Sequence, residues 1–234
     1  MANDFDFMLI ADVLPTLLQY LPVTLEILVF SILFGMVLGI VVAIPKLLHI
    51  PVLKQLVSIY ISYIRGTPIL VQLFLVFYGI PAVLQSIHID VTRVDAIYFV
   101  IITYTFSNAA AFAEIFRAAI LTVDRGQIEA AYSVGLSRMH AFIRIVLPQA
   151  IRVAFPNMAN TMISSLKDTS LAFSIGVMDM VGRGETLIAS TTRALEIYIA
   201  LSIVYYVIVV LLEKLLKRNE RYLNRYMQKE VVTS

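Results

Sequence analysis

Residues 129–150 read EAAYSVGLSRMHAFIRIVLPQA, Glu129 to Ala150, and they stand between two long apolar segments. The stretch carries Glu129, Arg138, His140 and Arg144, too much charge for the inside of a bilayer. It is also regular. Gln127 to Val134 is rich in helix formers, and Glu129 falls in the first turn, where the helix dipole favours an anion. Gly135 can take the left-handed backbone that closes a helix. Ser137 offers an N-cap oxygen to a second helix, Arg138 to Leu147, which Pro148 ends or kinks. The expectation is a helix, a glycine corner and a second helix at a membrane surface, a unit suited to docking a partner.

The rest of the chain supplies the membrane. Of 234 residues, 60% are hydrophobic and 15% charged, and the mean hydropathy is +0.87. Soluble domains carry about 25% charged residues. The composition therefore implies an all-α integral membrane protein in contact with the lipid bilayer. Five spans of about 20 residues leave too little chain for a separate soluble unit, so residues 1–234 are expected to form one domain. There is no cysteine, and His49, His88 and His140 lack ligand spacing, so no metal is expected. No phosphate-cradling loop occurs, so no nucleotide cofactor is expected in this chain, and nothing points to nucleic acid. The acidic start MANDFDF lacks a basic n-region, which argues against a cleavable signal peptide.

Residues 5–20 mix apolar side chains with Asp6, Asp12 and Gln19, as suits a helix lying in the interface. The expected spans are about 22–44, 67–84, 96–121, 150–166 and 194–212. Pro22 suits a helix start and Pro45 a stop. Gly35 and Gly39 form a G-x-x-x-G that permits close helix contact, within the chain in preference to a dimer seam. Residues 46–66, with Lys46, Lys54 and Arg65, read as a basic loop and elbow, and residues 124–148 as the polar loop. Residues 167–192, with Gly176, Gly182 and Gly184, read as a re-entrant or interfacial element.

Lysines and arginines orient the chain. Lys214, Lys217, Arg218, Arg221, Arg225 and Lys229 in the tail share a side with Lys46, Lys54, Arg125, Arg138, Arg144 and Arg152 if there are five spans. Asp4, Asp6 and Asp12 then lie opposite. The N-terminus is expected outside, and the C-terminus and the opening stretch inside.

A zwitterion crossing lipid must trade water for fixed polar groups. Asn157, Asn160, Thr161, Ser164 and Asp168 recur at steps of three and four, on one helical face. Tyr104, Ser107, Asn108, Glu114 and Arg117 mark the preceding span. Glu114 and Arg117, at i and i+3, can pair with each other instead of meeting a substrate. Lys167 and Asp168 can likewise neutralise each other, or serve the carboxylate and the amine of a substrate.

Glu129-Ala130-Ala131, three residues, Gly135, nine residues, then Ile145-x-Leu147-Pro148 resembles the EAA loop of ABC importer permeases at every fixed position. Arg65-Gly66-Thr67-Pro68-Ile69-Leu70-Val71-Gln72-Leu73 resembles the RGTPLLVQL signature of the polar amino-acid uptake branch. Ala113-Glu114-Ile115-Phe116-Arg117-Ala118-Ala119-Ile120 with Gly126-Gln127 resembles its AEIxRGAI…GQ segment, with Ala118 where glycine is usual. Lys167 to Leu171 resembles its KDTSL, and the run from there to Ile188 is most similar to the cystine-type branch. The resemblance covers roughly residues 15–225.

It implies a type I importer permease in a prokaryotic cell membrane, not itself an enzyme. Two permease copies, identical or related, pair across the membrane. A cytoplasmic ABC ATPase dimer binds ATP and Mg, and an extracytoplasmic binding protein delivers the amino acid. Glu129, Ala130, Ala131, Gly135, Leu147 and Pro148 would couple to the ATPase. An ion-coupled secondary amino-acid transporter is the alternative, but it would show internal repeats with paired broken helices. A membrane enzyme would need a catalytic constellation, and no H-E-x-x-H or G-x-S-x-G occurs. A membrane scaffold would have no use for the EAA loop.

Overall fold

Asp6, Asp95, Asp124, Ser137 and Asp179 each stand one residue before a helix and accept a hydrogen bond from a backbone N–H of its first turn. These caps set the frame of an all-helical chain. The computed structural model describes residues 5–91 and 93–232, and side chains as far as residue 224. Asp4 and the side chains of Arg225 and Lys229, used above for orientation, lie outside the described residues.

A short helix, α1 (Phe7–Leu18), leads into α2 (Leu21–Leu47). Next come α3 (Pro51–Gly66), α4 (Ile69–Ser86) and α5 (Ala96–Leu121). The polar loop holds α6 (Arg125–Ser133) and α7 (Arg138–Ala141). A π turn (Phe142–Val146) leads into α8 (Leu147–Asp168), and a 3-10 turn (Thr169–Ile175) into α9 (Met180–Thr191). The long α10 (Ala194–Val232) closes the chain. Among the described residues, α2, α4, α5 and Ala194–Asn224 of α10 are long and apolar enough to cross a membrane. The fourth expected span, α8, is long enough as well, but it carries a polar face.

α2 and α5 form the centre. A Cβ at Gly35 would lie 2.7 Å from Asn108 Cβ, and one at Gly39 would lie 2.8 Å from Phe112 Cβ. The glycine pair therefore serves a contact inside the chain. α1 packs by Val13 and Leu17 against Met180, Ile197 and Val204 of α9 and α10.

Several expectations need correction. Pro45 does not stop α2, which runs to Leu47; the proline sits so near the end that only one late hydrogen bond is lost. Residues 46–66 are no loop, because α3 fills most of them. It packs on the centre through Ile61, beside Ala43, Ala110 and Ala113. Its polar residues hide it from a hydropathy window, and the basic elbow becomes a helix that leads into α4.

The break between α3 and α4 has a chemical cause. Pro68 has no N–H to give the carbonyl of Ile64, four residues back. Gln72 replaces the donor: its Nε2 donates to Ile64 O at 2.8 Å and to Thr67 O and Oγ1, each at 3.0 Å. The Thr67 hydroxyl donates to Tyr63 O at 2.9 Å. The spacing of Thr-Pro and Gln in the motif is thus a self-capping helix break.

Pro148 does not end its helix either. Leu147 N–H reaches the carbonyl of Phe142, five residues back, in the π turn just before the proline. The register shift lets Pro148 sit in the first turn of α8, where no N–H is needed. The second helix of the polar loop therefore runs on into α8. At the far end of the chain, the basic tail continues α10 rather than leaving it.

Candidate functional site

The polar loop ends α6 as a Schellman turn. Gly135 has φ +84°, its N–H donates to Tyr132 O at 3.0 Å, and Leu136 N–H donates to Ala131 O at 3.0 Å. Asp124 caps the helix start through Gly126 N–H, so Glu129 lies in the second turn rather than the first. Glu129 and Ala130 are exposed, whereas Ala131 turns inward at 4% exposure. Leu147 is half-buried and Pro148 exposed. Around the corner Tyr132, Val134 and Met139 stand bare, Val134 at 79%. A single carboxylate beside an apolar knob is a surface built for contact, since such residues gain nothing from water. Gln149 Nε2 donates to Gln127 Oε1 at 2.7 Å and to Ile145 O at 3.0 Å, tying α6 to the foot of α8.

On one face of the bundle, α3, α5 and α8 line an open cavity of about 470 Å³. Ser107, Asn108 and Glu114 line it from α5, and Asn157, Asn160, Thr161, Ser164 and Asp168 from α8. The helical face read from the spacing of α8 is thus one wall of one cavity. Ser165 joins it and donates to Asn108 Oδ1 at 2.6 Å, fixing α8 against α5. Helix spacing alone did not single out Ser165, because it lies one step off the stripe.

Two candidates sit elsewhere, and a third, Glu114, is already paired on the wall. Tyr104 is buried at 1% exposure, away from the cavity wall. Its hydroxyl donates to the carbonyl of Asp168 at 2.6 Å and anchors the end of α8. Glu114 pairs with Arg117 at 2.8 Å, as its spacing allowed, and also with Lys46 from α2. Lys167 lines a separate cavity of about 650 Å³ with Glu185, Tyr198 and Tyr205, so the chain neighbours Lys167 and Asp168 face different spaces.

The sequence reading missed Arg65, which lines the cavity from the last turn of α3. It also missed Asp179, fully buried at 0% exposure, which caps α9 through Gly182 N–H at 2.9 Å. The signal for Asp179 was present: an acid three residues before a glycine at a helix start.

The comparisons with known proteins agree with this architecture. Residues 35–225 match the family described as binding-protein-dependent transport system inner membrane component. The chain is 58% identical over 233 residues to the L-cystine transport system permease protein TcyL of Bacillus subtilis (strain 168), covering 100% of this chain and 97% of that one. It is 42% identical over 222 residues to the probable amino-acid permease protein YxeN of the same organism, covering 95% and 96%. Among solved structures it superposes on the crystal structure of an amino acid ABC transporter with histidines at a TM-score of 0.83. That match has 31% identity and covers 94% of this chain and 100% of the other.

Proposed function

We propose, for a chain that belongs to the binding-protein-dependent transport system inner membrane component family, that it carries L-cystine or a closely related amino acid across the cell membrane. As a member of that family it is the permease subunit of an ABC importer and a transport component, not an enzyme. An ATPase and a binding protein complete such a system. The observation that carries the cystine reading is the 58% identity, over the whole chain, to an L-cystine permease protein.

The cavity between α5 and α8 is the path. Asn157, Asn160, Ser164, Asp168, Ser107 and Asn108 offer fixed polar groups that replace water around a zwitterion inside an apolar bundle. Lys167 lines the separate second cavity, beside Glu185 and Tyr198. Tyr104 and the paired Glu114 hold the wall in shape.

The distribution of basic charges supports a C-terminus and polar loop inside the cell and an N-terminus outside. Glu129, Ala130 and the Gly135 corner then meet the ATPase, which holds ATP and Mg, while Ala131 supports the contact from within and Leu147 and Pro148 from the foot of α8. A second copy of this chain completes the path. Closing of the ATPase dimer moves α6, and α8 follows through the continuous π turn and the Gln127–Gln149 bond. A ligand shifts such a machine only by binding its states unequally.

The substrate is tested by competition on the assembled complex with its binding protein. Unlabelled L-cystine is expected to abolish uptake of labelled L-cystine, with glutamine and arginine at the same concentration leaving it intact. Saturable uptake of glutamine or arginine that cystine fails to compete would overturn the cystine reading.

A further inference from the structure

We infer that Arg65 holds the substrate's α-carboxylate inside the cavity, and that Gln72, by closing the helix break, sets where Arg65 stands. The assignment rests on the amino-acid permease reading given above.

Depth comes first. Tyr60 on α3 donates its hydroxyl to Phe106 O at 2.6 Å, and Phe106 lies near the middle of α5. Ile61 packs beside Ala110 and Ala113 of the same helix. Arg65 is one turn further along α3, on the cavity wall beside Ser107 and Asn108. A guanidinium at mid-bundle depth cannot rest against lipid and must face water or a ligand. The structure leaves Arg65 exposed there, at the end of a helix broken within the bundle. Broken helices at such depth are where transported ions and zwitterions are bound in other membrane carriers.

Charge comes second. The ionisable groups on the cavity wall are Arg65, Glu114 and Asp168. Glu114 is already compensated by Lys46 and Arg117. That leaves one cation on α3 and one anion on α8, the charge pattern complementary to an α-amino acid. The flat guanidinium fork can take both oxygens of a carboxylate, which a lysine ammonium cannot do in the same geometry.

Position comes third. Without its partner, the Ile64 carbonyl next to Arg65 would be left open by Pro68. Gln72 is 4% exposed and binds that carbonyl and both oxygens of Thr67. It fixes the residues on either side of Arg65 without touching a substrate.

The test uses the permease–ATPase complex in lipid nanodiscs, without binding protein, so that recognition by the permease alone is read. The probes are labelled L-cystine and a labelled mixture of the twenty common L-amino acids. Cystamine, which is cystine without its carboxylates, serves as the second ligand. Arg65→Gln is expected to raise the Kd for L-cystine at least about tenfold and to leave cystamine binding unchanged. Arg65→Lys is expected to fall between Arg65→Gln and the parent, and Gln72→Leu to weaken L-cystine binding while sparing cystamine. Parental affinity in Arg65→Gln, or equal loss of both ligands, would overturn the assignment. Should the parent complex bind the mixture but not cystine, the cystine reading fails and Arg65 is judged on the mixture, where the same tenfold loss is required. No saturable binding of either probe by the parent complex would overturn it as well.

Discussion

Gly39→Leu is expected to abolish assembly of a folded permease. A Cβ at this position meets Phe112 Cβ at 2.8 Å, Ala109 O at 3.2 Å and Ala113 N at 3.3 Å. Two of these atoms are backbone and the third is fixed to it, so no side chain can swing aside. Even alanine forces α2 away from α5, at about 1–3 kcal/mol for overpacking. Leucine adds three more carbons to the same seam, and few membrane proteins keep enough stability to absorb that. The displacement would reach the site, because Asn108 lies against Gly35 on this seam and holds Ser165 of α8. Size-exclusion profiles and thermal melts of the purified complex check it. Gly39→Ala should melt at a lower temperature than the parent, and Gly39→Leu should give no monodisperse peak. A normal peak and melt for Gly39→Leu would mean that α2 and α5 do not pack as described.

Glu129→Lys is expected to leave the permease folded and to disconnect it from its motor. Glu129 is exposed on α6, and a surface substitution of this kind changes stability by about 0.5 kcal/mol or less. Its backbone carbonyl still accepts from the Ser133 hydroxyl at 3.0 Å. If Glu129 meets a basic group of the ATPase, however, reversing its charge sets like against like, which costs several kcal/mol. The apolar residues around it, Tyr132, Val134 and Met139, remain able to touch a partner. Copurified ATPase should therefore fall, uptake should drop by about tenfold or more, and substrate should no longer stimulate hydrolysis. Normal copurification with normal stimulated hydrolysis would remove Glu129 from the contact. Gly135 offers a check on the same surface, since its φ of +84° fixes the angle at which the helix is presented.

Much of this was legible in residue spacing. The apolar run gave α5 its bounds, Ala96 to Leu121, as read. The G-x-x-x-G gave the closest helix contact, and Gly135 and Ser137 gave the corner of the polar loop. The stripe from Asn157 to Asp168 gave a cavity wall, because helical periodicity survives in any environment.

What stayed hidden depended on contacts across the fold. α3 is short and amphipathic, so hydropathy reads it as a loop, and Arg65 went to the surface with it. Only the packing of Tyr60 and Ile61 on α5 brings it to the wall of the cavity. The Gln72 clamp joins side chain to backbone across a proline, a link that no periodicity encodes. Lys46 reads as a loop cation until α2 and α5 are set side by side and it meets Glu114. Tyr104 has the chemistry of a binding residue, yet burial commits it to the Asp168 carbonyl. The π turn before Pro148 reverses a rule that holds for isolated helices, where proline stops or bends the chain.

The central claim is that movement through this chain is driven by ATP hydrolysed in a partner subunit. The direct measurement is uptake of labelled L-cystine into proteoliposomes, once with the chain assembled with its ATPase and binding protein, and once with the chain alone under a proton or sodium gradient. The account predicts uptake only in the assembled vesicles supplied with ATP, insensitive to collapse of the gradient. Gradient-driven uptake by the chain alone would contradict it.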